Sequence, residues 1–350
     1  MKQTTIAIIG CGVISQIYLQ NLSTMFSNIK VKCCCDLRAE NAQKRAEEFG
    51  IGVATMDEIL VDAEIDMIVV LTPPSTHFGI IKQALQAGKH VYTEKVLSLS
   101  AVEAKELCDL ADEKGLYLGS APDTFMGAAW QKCNEIVNAD TLGRITGFDV
   151  YVSRNMDYIA CAYPIVRLAG GGVLYDFGVY HLTVLTYLLG RVKEVCAVVE
   201  NNKPIRVGTV EGTPDFGKEF AFNNEAQVTA IMRMESGIIG TFTINGETVD
   251  DDGQLLQFRF YGEKGVVSLP NPNFFGGPVR LLQEDFSWEE VSNDLPYSEN
   301  SRGIGPSEMA QAMAEGRRNM ANKEQALHVV SIMEAMMEST KTGRFEKVQY

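Results

Sequence analysis

Three sets of residues carry side chains that can do chemistry at spacings that matter. Glu94 and Lys95 follow a short strand-like run, His90 to Thr93, which itself follows the turn-forming Gly88. A charge pair at the tip of a parallel strand sits where open α/β sheets bind ligands. A lysine there is either a solvated surface charge or an acid–base group over a cofactor. Asp176, Tyr180 and His181 lie in a segment that opens with Gly170-Gly171-Gly172 and stays apolar nearly all round as far as Leu189. A helix of that kind is buried, so its polar groups need partners. In an α-helix, positions four apart are separated by about 40° around the axis and positions five apart by about 140°. Tyr180 therefore shares a face with Asp176, and His181 looks away. Asp176 can equally be a plain N-terminal cap.

The third set is Gly10-Cys11-Gly12, between an apolar run from Thr5 to Ile9 and a helix from Gln16 to Phe26. Strand, glycine turn and helix in that order form a dinucleotide-binding context. Gly10 permits the tight turn, and Gly12 lets a pyrophosphate approach the backbone at the positive end of the helix. Ser15 holds the third glycine position and is small enough for close helix–strand packing. Val13 and Ile14 complete the turn. The second strand, Val31 to Cys35, ends in Asp36, 24 residues after Gly12. An acid there bonds the ribose hydroxyls and repels a 2′-phosphate, which favours NAD over NADP. Asp36 can also cap the helix from Ala39 to Phe49. Leu37 and Arg38 border the same ribose, and Arg38 is able to accept a phosphate.

The elements that must position these groups follow in order. Ala54 to Val61 is a short helix, and Ile65 to Leu71 is a buried strand ending in Thr72-Pro73-Pro74-Ser75-Thr76-His77. The prolines end the strand and offer a flat wall to a nucleotide; Ser75 or Thr76 caps the helix to Ala87, with His77 as a partner at its start. A helix from Ser98 to Lys114 and a strand from Leu116 to Gly119 close this half. A helix from Phe125 to Asn138 opens a strand-rich half. Its strands are expected at Ile145 to Ser153, Glu194 to Glu200, Gln227 to Glu235, Gly237 to Asn245, Gln254 to Tyr261 and Gly265 to Leu269. Several of them alternate polar and apolar residues, as in a sheet with one covered face. Val279 to Gln283 and Trp288 to Val291 read as a hairpin. Helices from Pro306 to Ala321 and Lys323 to Lys341 end the chain. Asn201 to Asn224 and Asn293 to Gly305 are expected to be the mobile connections. The pattern is α/β followed by α+β, with domains at 1–121 and 122–350.

At 350 residues and 46% hydrophobic, the chain has room for two such domains. No apolar run reaches the roughly 18 residues of a membrane helix, and the N-terminus lacks a cleavage site, so a cytoplasmic protein is expected. A formal charge of −14 disfavours nucleic-acid and anionic-membrane partners. The eight cysteines include no Cys-x-x-Cys pair, and the four histidines are far apart in sequence, so buried thiols are expected and no metal site.

The chain resembles the glucose–fructose oxidoreductase / inositol dehydrogenase family, Gfo/Idh/MocA, over nearly its whole length. The resemblance rests on Ile9-Gly10-Cys11-Gly12, Thr72 to His77, Gly88 to Lys95, the triple glycine with Asp176, and Ala326-Leu327-His328-Val329. It implies an N-terminal Rossmann domain and a C-terminal α+β domain with a large open, mostly antiparallel sheet. That sheet often forms a homodimer or homotetramer interface. It implies a nicotinamide cofactor held by the turn residues above together with Thr72, Pro73, Pro74, His77, Glu94, Lys95 and Asp123. It also implies a sugar, polyol or glycoside substrate met by Lys95, Asp123, Arg154, Tyr163, Asp176 and Tyr180, with Tyr158 and Arg167 as further candidates. The family's Glu-Lys-Pro appears here as Glu94-Lys95-Val96. Its Asp-x-x-x-His appears as Asp176 with Tyr180, and tyrosine occupies that place in some branches.

The expected chemistry is hydride transfer at a carbinol carbon, with Lys95 and Tyr180 as acid–base groups and His181 as the fallback. Tyrosine and lysine both titrate near about 10, too high for efficient transfer at neutral pH. A cationic cofactor beside them lowers both, while Asp176 opposes that on the lysine and orients it. Glu94 anchors the loop or a ribose. A redox-assisted glycosidase or lyase that keeps its cofactor and a non-catalytic dinucleotide sensor are the rival readings.

Overall fold

The computed structural model describes residues 3–249, 255–284 and 286–350, and every structural statement concerns these. In chain order the first elements are β1 (Thr4–Ile9), α1 (Val13–Thr24), β2 (Ile29–Cys35), α2 (Ala39–Phe49), β3 (Gly52–Val53), α3 (Met56–Val61), β4 (Met67–Val70), α4 (Pro74–Gln86), β5 (His90–Thr93), α5 (Ala101–Glu113) and β6 (Leu118–Ser120). There follow α6 (Ala128–Asn138), β7 (Ile145–Ser153), α7 (Met156–Ala162), a π-helical turn (Val173–Gly178), α8 (Val179–Leu189), β8 (Val192–Glu200), β9 (Ile205–Val207), β10 (Glu219–Ala221), β11 (Gln227–Met234) and β12 (Ile239–Asn245). The last are β13 (Gln257–Gly262), β14 (Val266–Ser268), β15 (Arg280–Leu282), β16 (Trp288–Glu290), α9 (Ile304–Glu315), α10 (Lys323–Thr342) and β17 (Glu346–Lys347).

The chain folds into two compact units. The first holds Met1–Met126 and Asn300–Val330; the second holds Gly127–Glu299 and Ser331–Tyr350. A single boundary after residue 121 is therefore not what forms, because the chain returns to its first unit near the end. The returning segment is tied there by polar groups. Asn21 donates to the carbonyls of Asn300 and Arg302, and Asn28 donates to the carbonyl of Ser307. The Ser120 amide donates to Ala321 O at 3.1 Å. The end of the Asn293–Gly305 stretch, expected to be mobile, is thus bonded to the first unit.

In the first unit the strands run parallel in the order β3-β2-β1-β4-β5-β6. The order reverses between β1 and β4. That switch point is where open parallel sheets bind ligands, beyond the strands' carboxyl ends. Ile6, Ala7, Ile8 and Met67 to Val70 are fully buried, as strands covered on both faces must be.

In the second unit the sheet order is β16-β15-β14-β13-β7-β12-β11-β8-β17. It is antiparallel except where β12 runs parallel to β7. Alternation along β11 buries Val228, Ala230, Met232 and Met234 and exposes the residues between them. The expected strand start at Gln254 lies outside the described residues; β13 begins at Gln257. The expected hairpin at the edge forms as β15 and β16. The Asn201–Asn224 stretch, also expected to be mobile, contains the β9–β10 pair and the fully buried Arg206, which pairs with Asp157.

Candidate active site

The first unit presents its predicted residues along the carboxyl ends of its strands. At the end of β1, Gly10 has φ +102°, and a Cβ there would lie 2.7 Å from the Leu71 carbonyl carbon. Both conformation and space demand glycine. At Gly12 a Cβ would meet nothing within 4 Å, so this backbone faces open space. Gly12 is the N-cap of α1, no side chain caps that helix, and Val13 is 84% exposed. An open glycine at an uncapped helix start fits a dinucleotide pyrophosphate. Ser15 is fully buried and its hydroxyl donates to Gly12 O at 2.6 Å, so the small third residue does allow close packing. Arg45 of α2 was not foreseen: its Nε donates to the Ser15 hydroxyl at 3.0 Å beneath the turn.

Asp36 ends β2. Its Oδ2 accepts the Cys11 amide at 2.8 Å, and its Oδ1 accepts the Arg38 amide at 2.8 Å. Asp36 does not cap α2: the N-cap is Arg38, without a side-chain cap bond. Leu37 and Arg38 are exposed beside it. The Cys11 thiol donates to Cys35 O at 3.5 Å, and the neighbouring Cys34 thiol, with burial, pushes its pKa far up, so it stays neutral.

At the end of β4, Thr72, Pro73 and Pro74 are half-buried. Neither Ser75 nor Thr76 caps α4; Pro73 is its N-cap, and the Thr76 hydroxyl donates to Pro73 O at 2.8 Å. His77 is fully buried, with Nδ1 2.7 Å from Val96 O and Nε2 2.8 Å from Thr72 O. It joins the β4 and β5 loops and does not point to an open site. Burial lowers its pKa.

Beyond β5, Glu94 is buried. One carboxylate oxygen accepts the Tyr18 hydroxyl at 2.8 Å and the other accepts the Lys95 amide at 3.1 Å. Glu94 therefore anchors the loop, as one of its two expected roles had it. Burial and the Glu94 charge push the Tyr18 hydroxyl up, so it remains a donor. Lys95 is half-buried, and the Lys95–Val96 peptide is cis, as is Ala121–Pro122. Asp123, expected to touch cofactor and substrate, is 1% exposed and takes the amides of Gly303 and Gly305 at 3.3 and 3.1 Å. It holds the returning segment instead. Burial raises its pKa to about 6, partly offset by those amides.

The second unit carries the other set. Its expected α-helix starts as a π-helical turn, with Asp176 in the turn and Tyr180 just inside α8. Single π turns of this kind recur at functional sites. Asp176 pairs with Arg154 at 3.0 Å, and the Arg154 guanidinium lies 4.3 Å from the Phe177 ring centroid. Asp176 is thus not merely a cap, and Arg154 is its partner. Tyr180 is 7% exposed. His181 is fully buried, with Phe177 and Phe258 ring centroids at 5.1 and 5.9 Å. Burial lowers its pKa to about 3. A neutral histidine sealed among aromatic rings is not an acid–base group, so His181 is withdrawn as the fallback. Tyr158 and Tyr163 are about half exposed on and after α7. Arg167 pairs with Asp215 at 2.8 Å and stacks over Phe220, which is a packing role.

Sequence reasoning missed Tyr18, Arg45 and Glu225, whose carboxylate accepts the amides of Leu174 and Tyr175 at 3.2 Å. Each acts on residues tens of positions away, and none sits in a local pattern that announces it.

Comparison with known proteins bears on the whole chain. Residues 4–121 match the oxidoreductase family with an NAD-binding Rossmann fold, and residues 130–268 match the GFO/IDH/MocA C-terminal domain. The chain is 29% identical to an oxidoreductase of Schizosaccharomyces pombe over 57% of its own length, and the match spans 55% of that relative. It is 25% identical to the D-xylose 1-dehydrogenase (NADP(+)) of Hypocrea jecorina, covering 96% of this chain and 91% of that one. The structure of levoglucosan dehydrogenase in complex with NADH and levoglucosan superposes with a TM-score of 0.85 at 19% identity, covering both chains fully. That likeness concerns the fold.

Proposed function

The chain belongs to the Gfo/Idh/MocA family of oxidoreductases, and on that basis we propose that it moves a hydride between NAD and a hydroxyl-bearing carbon of a sugar, polyol or glycoside. The observation that carries this reading is the rim of the parallel sheet: the open Gly12 backbone, Asp36 after β2 and Lys95 after β5 all follow strand ends. Bound nicotinamide dinucleotide supplies the hydride acceptor or donor. Asp36 offers a carboxylate to ribose hydroxyls and opposes a 2′-phosphate, which supports NAD. The NADP(+) in the name of the xylose relative is a reason to test both.

Lys95 and Tyr180 are the acid–base groups of this proposal, and Asp176 orients with Arg154 as its partner. Glu94 is spent on Tyr18 and the loop amide, so it holds the lysine's backbone and leaves the chemistry to the side chain. Lys95→Ala is expected to lower turnover by about 10²–10⁴-fold while NADH affinity, read by fluorescence, changes little. Turnover near that of the parent would remove Lys95 from the mechanism.

A homodimer or homotetramer through the open sheet face belongs to the same reading. Tyr151, Val198, Ile231 and Ile239 are exposed on one face of β7, β8, β11 and β12, an apolar patch suited to a partner. The deciding experiment is a panel of sugars, inositols and glycosides with NAD and with NADP, followed at the nicotinamide absorbance. Reduction of NAD by one substrate class supports the proposal. Silence across the panel, with dinucleotide still bound, favours the sensor reading.

A further inference from the structure

The π-helical turn that carries Asp176 has an N-terminal end like any helix, with amides that lack partners inside it. One residue takes three of them. The Val173 amide donates to the Glu225 carbonyl at 3.0 Å. The amides of Leu174 and Tyr175 both donate to Glu225 Oε1 at 3.2 Å. The next amide, that of Asp176, closes back on Gly172 O at 2.8 Å. Glu225 lies between β10 and β11, far from the glycine motif in sequence, and nothing in that motif points to it.

The same carboxylate explains the third glycine. Gly172 has φ −74°, which any residue adopts, so its backbone angle does not require glycine. A Cβ on Gly172 would instead fall inside the Glu225 carboxylate. Gly171 is likewise crowded by the backbone of Val166. The adjacent Asn224 donates from its amide to the carbonyls of Val166 and Leu168 at 2.9 and 2.7 Å. The loop before β11 thus grips the glycine segment at both ends, and Asp176 emerges one residue after the last amide that Glu225 holds.

We infer that Glu225 is the positioning residue for Asp176: its carboxylate fixes the π turn and thereby aims Asp176 at Arg154. The inference rests on the reading that Asp176 serves the reaction. Without the Glu225 carboxylate the amides of Leu174 and Tyr175 lose their acceptor, and the turn that sets Asp176 3.0 Å from the Arg154 guanidinium loses that anchor. Misplacement of about 1 Å in such a group costs on the order of 10²-fold in rate.

The test uses the full chain with the best substrate found in the panel above. Glu225→Ala is expected to lower kcat by about 30–100-fold, with NADH binding unchanged. Glu225→Gln keeps an acceptor oxygen at the same reach and is expected to restore most of the loss. Asp176→Asn and Glu225→Ala combined are expected to cost no more than the worse single variant, because both act through one carboxylate. Amide hydrogen exchange at Leu174 and Tyr175 is expected to quicken in Glu225→Ala and stay slow in Glu225→Gln. Should Glu225→Ala fail to fold, Gly172→Ala dislodges the carboxylate with Glu225 still present and should give the same kinetic signature. Independent, multiplying losses in the double variant would overturn the proposal, as would unchanged amide exchange. If Asp176→Asn alone leaves turnover intact, the role given to Asp176 falls, while the exchange data still decide whether Glu225 holds the turn.

Discussion

Tyr180 and His181 are adjacent in the chain, and both are buried, to different degrees. Tyr180 keeps a small exposed fraction, whereas His181 is sealed and its Nε2 has no partner among the described residues. Tyr180→Phe is therefore expected to reduce kcat by about 10²–10⁴-fold, as loss of a positioned proton donor does. His181→Leu exchanges a ring whose Nε2 is unpaired among the described residues, and whose Nδ1 lies 3.4 Å from Phe177 O, for an apolar side chain of similar size. It should leave turnover intact and hold or raise the melting temperature. Steady-state kinetics and thermal unfolding on both variants check the pair. A large loss of turnover in His181→Leu would return the histidine to the mechanism. The burial of their helix, α8, was legible from its nearly continuous apolar character. The winding that delivers Asp176 was not, because a π turn depends on Glu225 and so on contacts about 50 residues away.

At the scale of elements, the glycine turn, β1 and β4 were readable because their constraints are local. Gly10 must adopt a positive φ, and the strands are short apolar runs. Asp123 shows the limit of such reading. It sits beside a motif, yet its partners are two amides near the start of α9. Raising its pKa from 3.8 to about 6 means that the folded chain holds a proton there that the unfolded chain releases. Stability from this group therefore falls as pH rises from about 4 to 6. Keeping it ionised at pH 7 costs on the order of 3 kcal/mol, at about 1.4 kcal/mol per pH unit. His181 acts in the opposite sense: depressed to about 3, it stays neutral in the fold while the unfolded chain takes up a proton below about 6.5. Its contribution rises with pH across that window. Asp123→Asn keeps one acceptor for the two amides and removes the charge. Its stability is expected to climb more steeply between pH 4 and 6 than that of the parent and to match or exceed the parent at pH 7. Melting temperatures across pH 4.5–7.5 test this; a variant clearly weaker at pH 7 would mean that Asp123 must be charged.

On the scale of the molecule, the first unit is not one stretch of chain. Asn300–Val330 completes it, supplying partners to Asn21, Asn28, Ser120 and Asp123. A division at 121 looked natural in the sequence because helix–strand alternation stops there; the return of α9 carries no local signature. A fragment of residues 1–126 alone is expected to lack a cooperative thermal transition and to bind NADH poorly. The same fragment joined through a Gly/Ser linker to residues 300–330 should regain both. A cooperative, NADH-binding 1–126 fragment would show the returning segment to be dispensable. The arrangement also has a consequence for how the protein comes into being. Chains commonly fold from the N-terminal end as they leave the ribosome, at roughly 5–20 residues per second. Here the glycine turn and its sheet emerge first, yet Asp123 waits for Gly303 and Gly305. The nascent chain therefore spends on the order of 10–40 s between the emergence of Asp123 and that of Gly303 and Gly305, with the first unit's sheet made but its returning segment still to come.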